Sequence, residues 1–415
     1  MRRWRIAILI SAGIAISYLD RQTLPVAIGE IRREIPISNQ TKALLDSAFL
    51  LTYGLMYVGG GRLMDRLGTR SGFLLIMIFW SLACASHAFA AGVVMLAASR
   101  LLLGAGEGGG FPAATRAVAE WFPVKDRSTA MGIINAGTGV GGILAPLLIA
   151  TVIQHVGWLA ISPWRWVFLI TGALGLLWTL WWAWDYFTPE ESPPGSGIAD
   201  FQSRYGIAGL LRFRETWGIV GAKFLTDAAW YFYMFWLPKY LLDARGFDIK
   251  GVGAVAWIPF AAAALGCLVG GGLSSWLLQR GCSVNAARKI ALGVSAGVMP
   301  CVMLVPQASV PWVIFLFSLA FFGQQSWSTL VMTLPTDLFP RQTLGTVAGL
   351  VGLGGALGGV MLGQLAGYLL DHGVTYGPVL VITGSLHVLA FLLILAVVPS
   401  ISPLAIHPKI RERQR

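Results

Sequence analysis

The chain has 415 residues, of which 56% are hydrophobic and only 12% charged, about half the charged share of an average soluble domain. With 51 glycines and repeated apolar runs near the ~20 residues that cross a ~30 Å hydrocarbon core, this composition excludes a soluble globular enzyme and makes lipid the solvent of the fold. The net charge of +11 is better explained by loops on one side of a bilayer than by nucleic-acid binding.

Apolar runs bounded by charged or Pro/Gly-rich breaks predict twelve spans. The first, 5–29, follows Arg2, Arg3 and Arg5 and is interrupted by Asp20 and Arg21, so it reads as a retained helix rather than a cleaved leader. Next come 43–62, 72–92, 94–118, 129–154 and 164–186. A polar break at 187–215, with Pro189, Glu190, Glu191, Pro193, Pro194 and Asp200, separates these from 216–242, 252–278, 287–306, 310–334, 344–370 and 376–399. The expectation is an all-α membrane protein of twelve transmembrane helices. An amino-terminal six-helix bundle occupies 1–186, a cytoplasmic linker 187–215, a carboxy-terminal bundle 216–399 and a cytoplasmic tail 400–415. Lys and Arg sort accordingly. Nineteen lie in the amino terminus, the even-numbered loops and the tail, against six in the odd-numbered loops, which predicts an inner (plasma) membrane protein with both termini in the cytoplasm.

The two bundles repeat. Phe122-Pro123 recurs as Phe339-Pro340, and the same offset of 217 carries Gly132, Gly137, Gly141 and Gly142 onto Gly349, Gly354, Gly358 and Gly359. Internal duplication of this kind is common in secondary transporters, where substrate binds between the halves. Cys84, Cys267, Cys282 and Cys301 show no paired spacing, so neither a disulfide framework nor a metal site is expected. No Gly-x-x-x-x-Gly-Lys-Ser/Thr loop occurs, which excludes ATP as the fuel, and no cofactor is expected.

After the second span stands Gly61-Arg62-Leu63-Met64-Asp65-Arg66-Leu67-Gly68-Thr69-Arg70, which resembles the cytoplasmic signature of the major facilitator superfamily. Its physical reading is a glycine-set turn with Asp65 placed to accept hydrogen bonds from arginines or a helix N-terminus. Gly61, Asp65, Arg66, Gly68 and Arg70 would thus gate the cytoplasmic side. The second-half counterpart, Gly271-Gly272-Leu273-Ser274-Ser275, lacks the acid. Tyr18-Leu19-Asp20-Arg21, Gly104-Ala105-Gly106-Glu107 with Phe111-Pro112, and Trp121-Phe122-Pro123 are similar to the anion:cation symporters of that superfamily. Lys223-Phe224-Leu225-Thr226-Asp227, Phe235-Trp236-Leu237-Pro238-Lys239-Tyr240 and Gln325 with Trp327-Ser328 resemble hexuronate transporters, which import glucuronate and galacturonate. The resemblance implies the major facilitator fold of two six-helix halves.

Four charges in the first and fourth spans carry the chemistry. An ionised side chain at the bilayer centre costs at least ~2.5–3.5 kcal/mol, so Asp20, Arg21, Arg100 and Glu107 need a wet chamber and partners. Arg100 and Glu107, two helical turns apart, share a helix face, and opposite charges are expected to meet across the chamber. A guanidinium grips a planar carboxylate bidentately, so Arg21 and Arg100 are the candidate ligands of an organic anion; the resemblance implies the same. Asp20 and Glu107 are the candidate proton-coupling pair, since protonating either frees an arginine for the substrate. For sugar hydroxyls the candidates are Tyr18, Tyr53, Asn135, Thr138, Trp230, Tyr233, Gln325, Trp327 and Ser328. Lys223 and Asp227, four apart, read as a pair with each other. The expected function is import of a hexuronate by proton symport, by a monomer whose partners are the sugar-acid anion, protons and lipid. Another sugar acid such as galactonate or glucarate, another carboxylate, sodium coupling, or a membrane sensor that binds without transporting are the alternatives.

Overall fold

In the computed structural model, residues 2–122, 124–157, 161–187, 207–339, 344–402 and 404 are described. They form twelve long helices. Those of the first half are α1 (Arg2–Ile31), α2 (Asn39–Gly60), α3 (Leu67–Phe89), α4 (in two pieces, Val93–Glu107 and Gly110–Trp121), α5 (Val124–His155) and α6 (Pro163–Asp185). The second half repeats the pattern with α7 (Arg214–Arg245), α8 (Ile249–Gln279), α9 (Val284–Gln307), α10 (Val310–Val331), α11 (Leu344–Asp371) and α12 (Tyr376–Val397). The chain is a multi-pass membrane protein with the two six-helix halves the duplication implied.

Among the described residues, nine of these helices are long and apolar enough to cross a bilayer by composition alone; α1, α4 and α7 are not among them. These three carry Asp20 and Arg21, Arg100 and Glu107, and Lys223 and Asp227. Buried charge of this kind is tolerated only in a protein interior or a wet cleft. One boundary difference bears on the site. Ser38 caps α2, its hydroxyl accepting the Thr41 N–H at 3.0 Å, so the helix begins at Asn39 and takes Lys42 into its buried first turns.

Glycines set the contacts between helices, because a bare Cα lets backbones approach closely. A Cβ on Gly137 or Gly141 would stand 2.2 Å from the carbonyl oxygens of Ser11 and Ala15, seating α5 on α1. Their repeats do the same in the second half, where a Cβ on Gly358 would stand 1.9 Å from the Phe224 carbonyl and seat α11 on α7.

The start of α7 packs on Val397 and Val398 at the end of α12, and Gly29 near the end of α1 lies beside Leu242 near the end of α7. Both chain ends therefore share one face, the terminal face, opposite a loop face. The halves meet along α2 and α11, where Gly54 abuts Ala356 and Gly367 abuts Ala43, and along α5 and α8, where Gly142 abuts Phe260 and Gly139 abuts Ala264. Two turns toward the terminal face from Gly139, on the same side of α5, a Cβ on Gly132 would meet no described residue within 4 Å, and Asn135 between them is exposed. Hence α5 and α8 touch near the loop face and part toward the terminal face. At the loop face, Asp371 of α11 reaches across to α2, accepting the backbone N–H of Asn39 at 2.8 Å and of Gln40 at 2.7 Å. A carboxylate on a helix N-terminus is a favourable pairing of charge with dipole.

Candidate functional site

Adjacent positions on α1 point ~100° apart, and its two central charges diverge accordingly. Arg21 turns toward α2 and α4. Its Nε donates to Glu107 Oε2 at 2.6 Å, and Ser17, one turn earlier, donates to the same oxygen at 2.7 Å. The guanidinium carbon lies 4.7 Å from the ring centre of Tyr18 and 4.3 Å from that of Tyr53. Its two terminal amino groups have no hydrogen-bond partner among the described residues. One edge of the fork is tied down and the other is free.

Asp20 turns away, toward α3 and α6, beside the Cys84 thiol and the Thr171 hydroxyl, which pair with each other at 3.2 Å. Both of its carboxyl oxygens are buried without a hydrogen-bond partner among the described residues, so no arginine bonds to a charge there. Arg100 also departs from expectation. It pairs with Asp46 of α2 at 3.3 Å rather than with Asp20 or Glu107, and Lys42 donates to the other oxygen of Asp46 at 2.6 Å. The Phe49 ring stands between the two guanidinium groups, 5.3 Å from that of Arg100 and 5.5 Å from that of Arg21. The charges expected to form one cluster therefore bond in two sets, Arg21 with Glu107 and Arg100 with Asp46, with the Phe49 ring in reach of both guanidinium groups.

Across the cleft, Lys223 and Asp227 of α7 pair at 2.9 Å, and Lys223 also donates to Ser328 of α10 at 2.9 Å. Gln324 donates to Asp227 at 3.5 Å and meets His387 of α12. Asp227 lies within electrostatic reach of the Tyr18, Tyr57 and Tyr231 hydroxyls, as does Arg21, so a belt of tyrosines joins the two halves. Gln325, against the Cys267 thiol, and Ser328 are half-buried on the cleft side of α10. Trp327 and Tyr233 are not on that side. Trp327 is fully buried edge-on to His387, and Tyr233 lies between Phe317 and Phe321 inside the second half. The reason is periodicity: Gln324, Trp327 and Val331 form one stripe of α10, and Gln325 and Ser328 form the next. Asn135 is exposed on the parted flank of α5, and the Thr138 hydroxyl is spent on the Asn135 carbonyl at 2.8 Å. Trp230 packs edge-on to Phe260 and Phe321.

In the signature motif, Gly68 is the turn residue, with φ 74° and ψ 162°, and Arg70 donates to the Ala183 carbonyl at the end of α6 at 2.9 Å. Gly61 and the side chains of Asp65 and Arg66 lie outside the described residues. An acid that sequence reasoning passed over completes this face: Glu120 accepts from Thr69 at 2.6 Å, Arg116 at 3.0 Å and Tyr186 at 2.7 Å. The offset of 217 carries Glu120 onto Asp337, which accepts from Arg288 at 2.9 Å while Arg288 donates to Ser274 at 2.8 Å. The second half thus supplies its acid from α10's side of the turn, not from the Gly271–Ser275 stretch.

The Major Facilitator Superfamily profile matches residues 10–363. The hexuronate transporter of Escherichia coli (strain K12) is 30% identical over 413 residues, covering 94% of this chain and 93% of its own. The D-galactonate transporter of Escherichia coli O6:H1 is 30% identical over 403 residues, 92% of each chain. A solved bacterial homologue of the human lysosomal transporter Spinster, at 19% identity, superposes with a TM-score of 0.75 over 95% of this chain and 97% of that one. On sequence, length and fold together, the chain belongs to the major facilitator superfamily, among relatives that are sugar-acid transporters.

Proposed function

We propose that the protein imports a hexuronate such as glucuronate or galacturonate across the inner membrane by proton symport, as a monomer, with the halves 1–186 and 216–399 alternating access. The observation that carries this reading is the half-used fork of Arg21. Its terminal amino groups offer a carboxylate two parallel N–H donors, between the Tyr18 and Tyr53 rings, while Glu107 holds Nε. Protonating Glu107 removes the competing anion from the guanidinium, so proton and substrate each favour the other's binding. Asp20 is the second proton site, since uptake there neutralises a buried charge whose oxygens have no hydrogen-bond partner among the described residues. Tyr53, Asn135, Gln325 and Ser328 would meet the sugar hydroxyls. The Lys and Arg bias puts the terminal face in the cytoplasm, so the parted α5–α8 flank opens inward, the state that releases cargo. With a monoanion, two protons per cycle would move one positive charge, worth about 2.3 kcal/mol per 100 mV toward uptake.

The test is uptake of labelled glucuronate into proteoliposomes under an imposed pH gradient, with galacturonate, galactonate and glucarate as competitors. Accumulation should follow the gradient and collapse with a protonophore. Glu107→Gln should abolish gradient-driven accumulation yet keep substrate exchange. Failure of wild type to accumulate any of the four acids overturns the reading, and preference for galactonate would reassign the cargo to the acid carried by the second relative above.

A further inference from the structure

The proposed symport leaves Arg100 unexplained. Lys42, Asp46 and Arg100 bring two cations and one carboxylate together in the interior of the first half, with all three side chains buried. Among the described residues Arg100 uses only Nη2, on Asp46 at 3.3 Å; its Nε and Nη1 are buried and have no hydrogen-bond partner there. Buried donors are satisfied almost without exception, and an unmatched positive charge is more costly still. A purely structural pair would need only Lys42 and Asp46.

What covers these donors comes from the other half. The Lys42 ammonium lies 4.3 Å from the ring centre of Trp236, and the Arg100 guanidinium 5.9 Å from that of Phe235, both on α7. Phe235 also stands edge-on to Phe49, at 6.3 Å. Aromatic faces are weak stand-ins for an anion. They also leave with α7 whenever the halves separate at the loop face. The cluster sits about two turns nearer that face than Arg21, with the Phe49 ring between them.

We propose that Lys42 and Arg100, bridged by Asp46, form a second carboxylate site that takes the sugar acid from the loop face before it passes Phe49 to Arg21. Trp236 and Phe235 occupy that site while the loop face is closed. When it opens, the Nε–Nη1 edge of Arg100 receives the carboxylate bidentately, and Lys42 supplies the second charge. The inference rests on the sugar-acid reading and adds to it a site specific to one state.

A Cβ on Gly142 would stand 2.5 Å from the Phe260 ring, so Gly142→Trp should wedge α5 from α8 and hold the loop face open. Calorimetric titration of purified wild type and Gly142→Trp with glucuronate then separates the two sites. In the wedged protein Lys42→Gln should weaken binding about tenfold and Lys42→Arg should restore it, while Asp46→Asn, which removes the competing carboxylate, should tighten it severalfold. In the unwedged protein Lys42→Gln should shift Kd less than twofold. Equal shifts in both backgrounds, no shift in the wedged one, or a Trp236→Leu variant that reproduces the Lys42→Gln loss there would overturn the second site. So would a wedged protein that binds no glucuronate while wild type does. Absence of binding to wild type overturns the sugar-acid reading itself.

Discussion

Arg21 and Arg100 are chemically identical and yet differently placed. Arg21 keeps its terminal amino groups free and its Nε on Glu107, whereas Arg100 spends Nη2 on Asp46 and lies behind Phe49. For Arg21 the fork geometry matters and not only the charge, because an ammonium cannot present two parallel donors to one carboxylate. Arg21→Lys should therefore weaken glucuronate binding about ten- to a hundredfold, the equivalent of one charge-assisted hydrogen bond of roughly 1.5–3 kcal/mol, with folding retained; unchanged affinity in a calorimetric titration would contradict the assignment. Sequence marked Arg21, Glu107, Arg100 and Asp20 because ionisable groups in apolar runs are conspicuous. It did not reveal which faces which, since the ~100° between Asp20 and Arg21 has meaning only once the neighbouring helices are in place. Lys42 fell outside the expected second span, which starts one turn late, so Asp46 inside it stood without its partner; the Ser38 cap and the four-residue spacing from Lys42 to Asp46 were the available signals.

At the scale of helices, the internal repeat was the most informative pattern. The glycines it aligned perform the same task twice, seating α5 on α1 and α11 on α7, and the adjacent Gly142 and Gly359 then meet the opposite half through Phe260 and through Leu50. Periodicity was less informative within α10, where a stripe of buried residues and a stripe of cleft residues lie side by side, so Trp327 was grouped with Ser328. The glycine contacts differ in tolerance. Gly358→Ala would place a methyl 1.9 Å from a backbone oxygen that cannot move aside, an overpacking cost near ~3 kcal/mol, and should lower the unfolding midpoint in detergent by at least about 5 °C. Gly297→Ala, with no neighbour within 4 Å, should leave it unchanged or raise it slightly, because alanine restricts the unfolded chain. A thermal unfolding series on both variants checks the contrast.

For the whole molecule, the duplicated scaffold does not duplicate the chemistry. The offset of 217 carries Glu107 onto Gln324 and Arg100 onto Phe317, so the charges of α4 have a neutral amide and an aromatic ring as their mates on α10. One half carries the Arg21–Glu107 and Arg100–Asp46 pairs, while the other offers hydrogen bonds, rings and the Lys223–Asp227 pair. Asp371 is one of the contacts that hold the two together at the loop face, beside Gln364, which accepts from Gln40 at 2.6 Å and donates to Ser47 at 2.8 Å, and it should help set how often that face opens. Asp371→Ala should favour the open state roughly fivefold, about 1 kcal/mol after competition from water at this exposed position. A cysteine at Ala43, buried against Gly367 in the closed form, should then react about fivefold faster with an impermeant maleimide, and an unchanged rate would mean that other contacts set the balance.

Gln40 adds a side-chain bond of its own, donating to Gln364 of α11 at 2.6 Å, but Asp371 grips main-chain amides, so the identity of the side chain at 39 is incidental to the hold, and ordinary replacements there should pass unnoticed. Proline is the exception. Position 39 is the first residue of its helix, where the ring is tolerated, and Ser38 before it is already extended at ψ 172°, as a residue preceding proline must be. Asn39→Pro should erase one of the two amide hydrogens and produce about half the free-energy effect of Asp371→Ala in the same maleimide assay, while Asn39→Ala stays near the parent. A clasp of this kind can persist through sequence drift on one of its two sides, and a single imino acid is enough to loosen it.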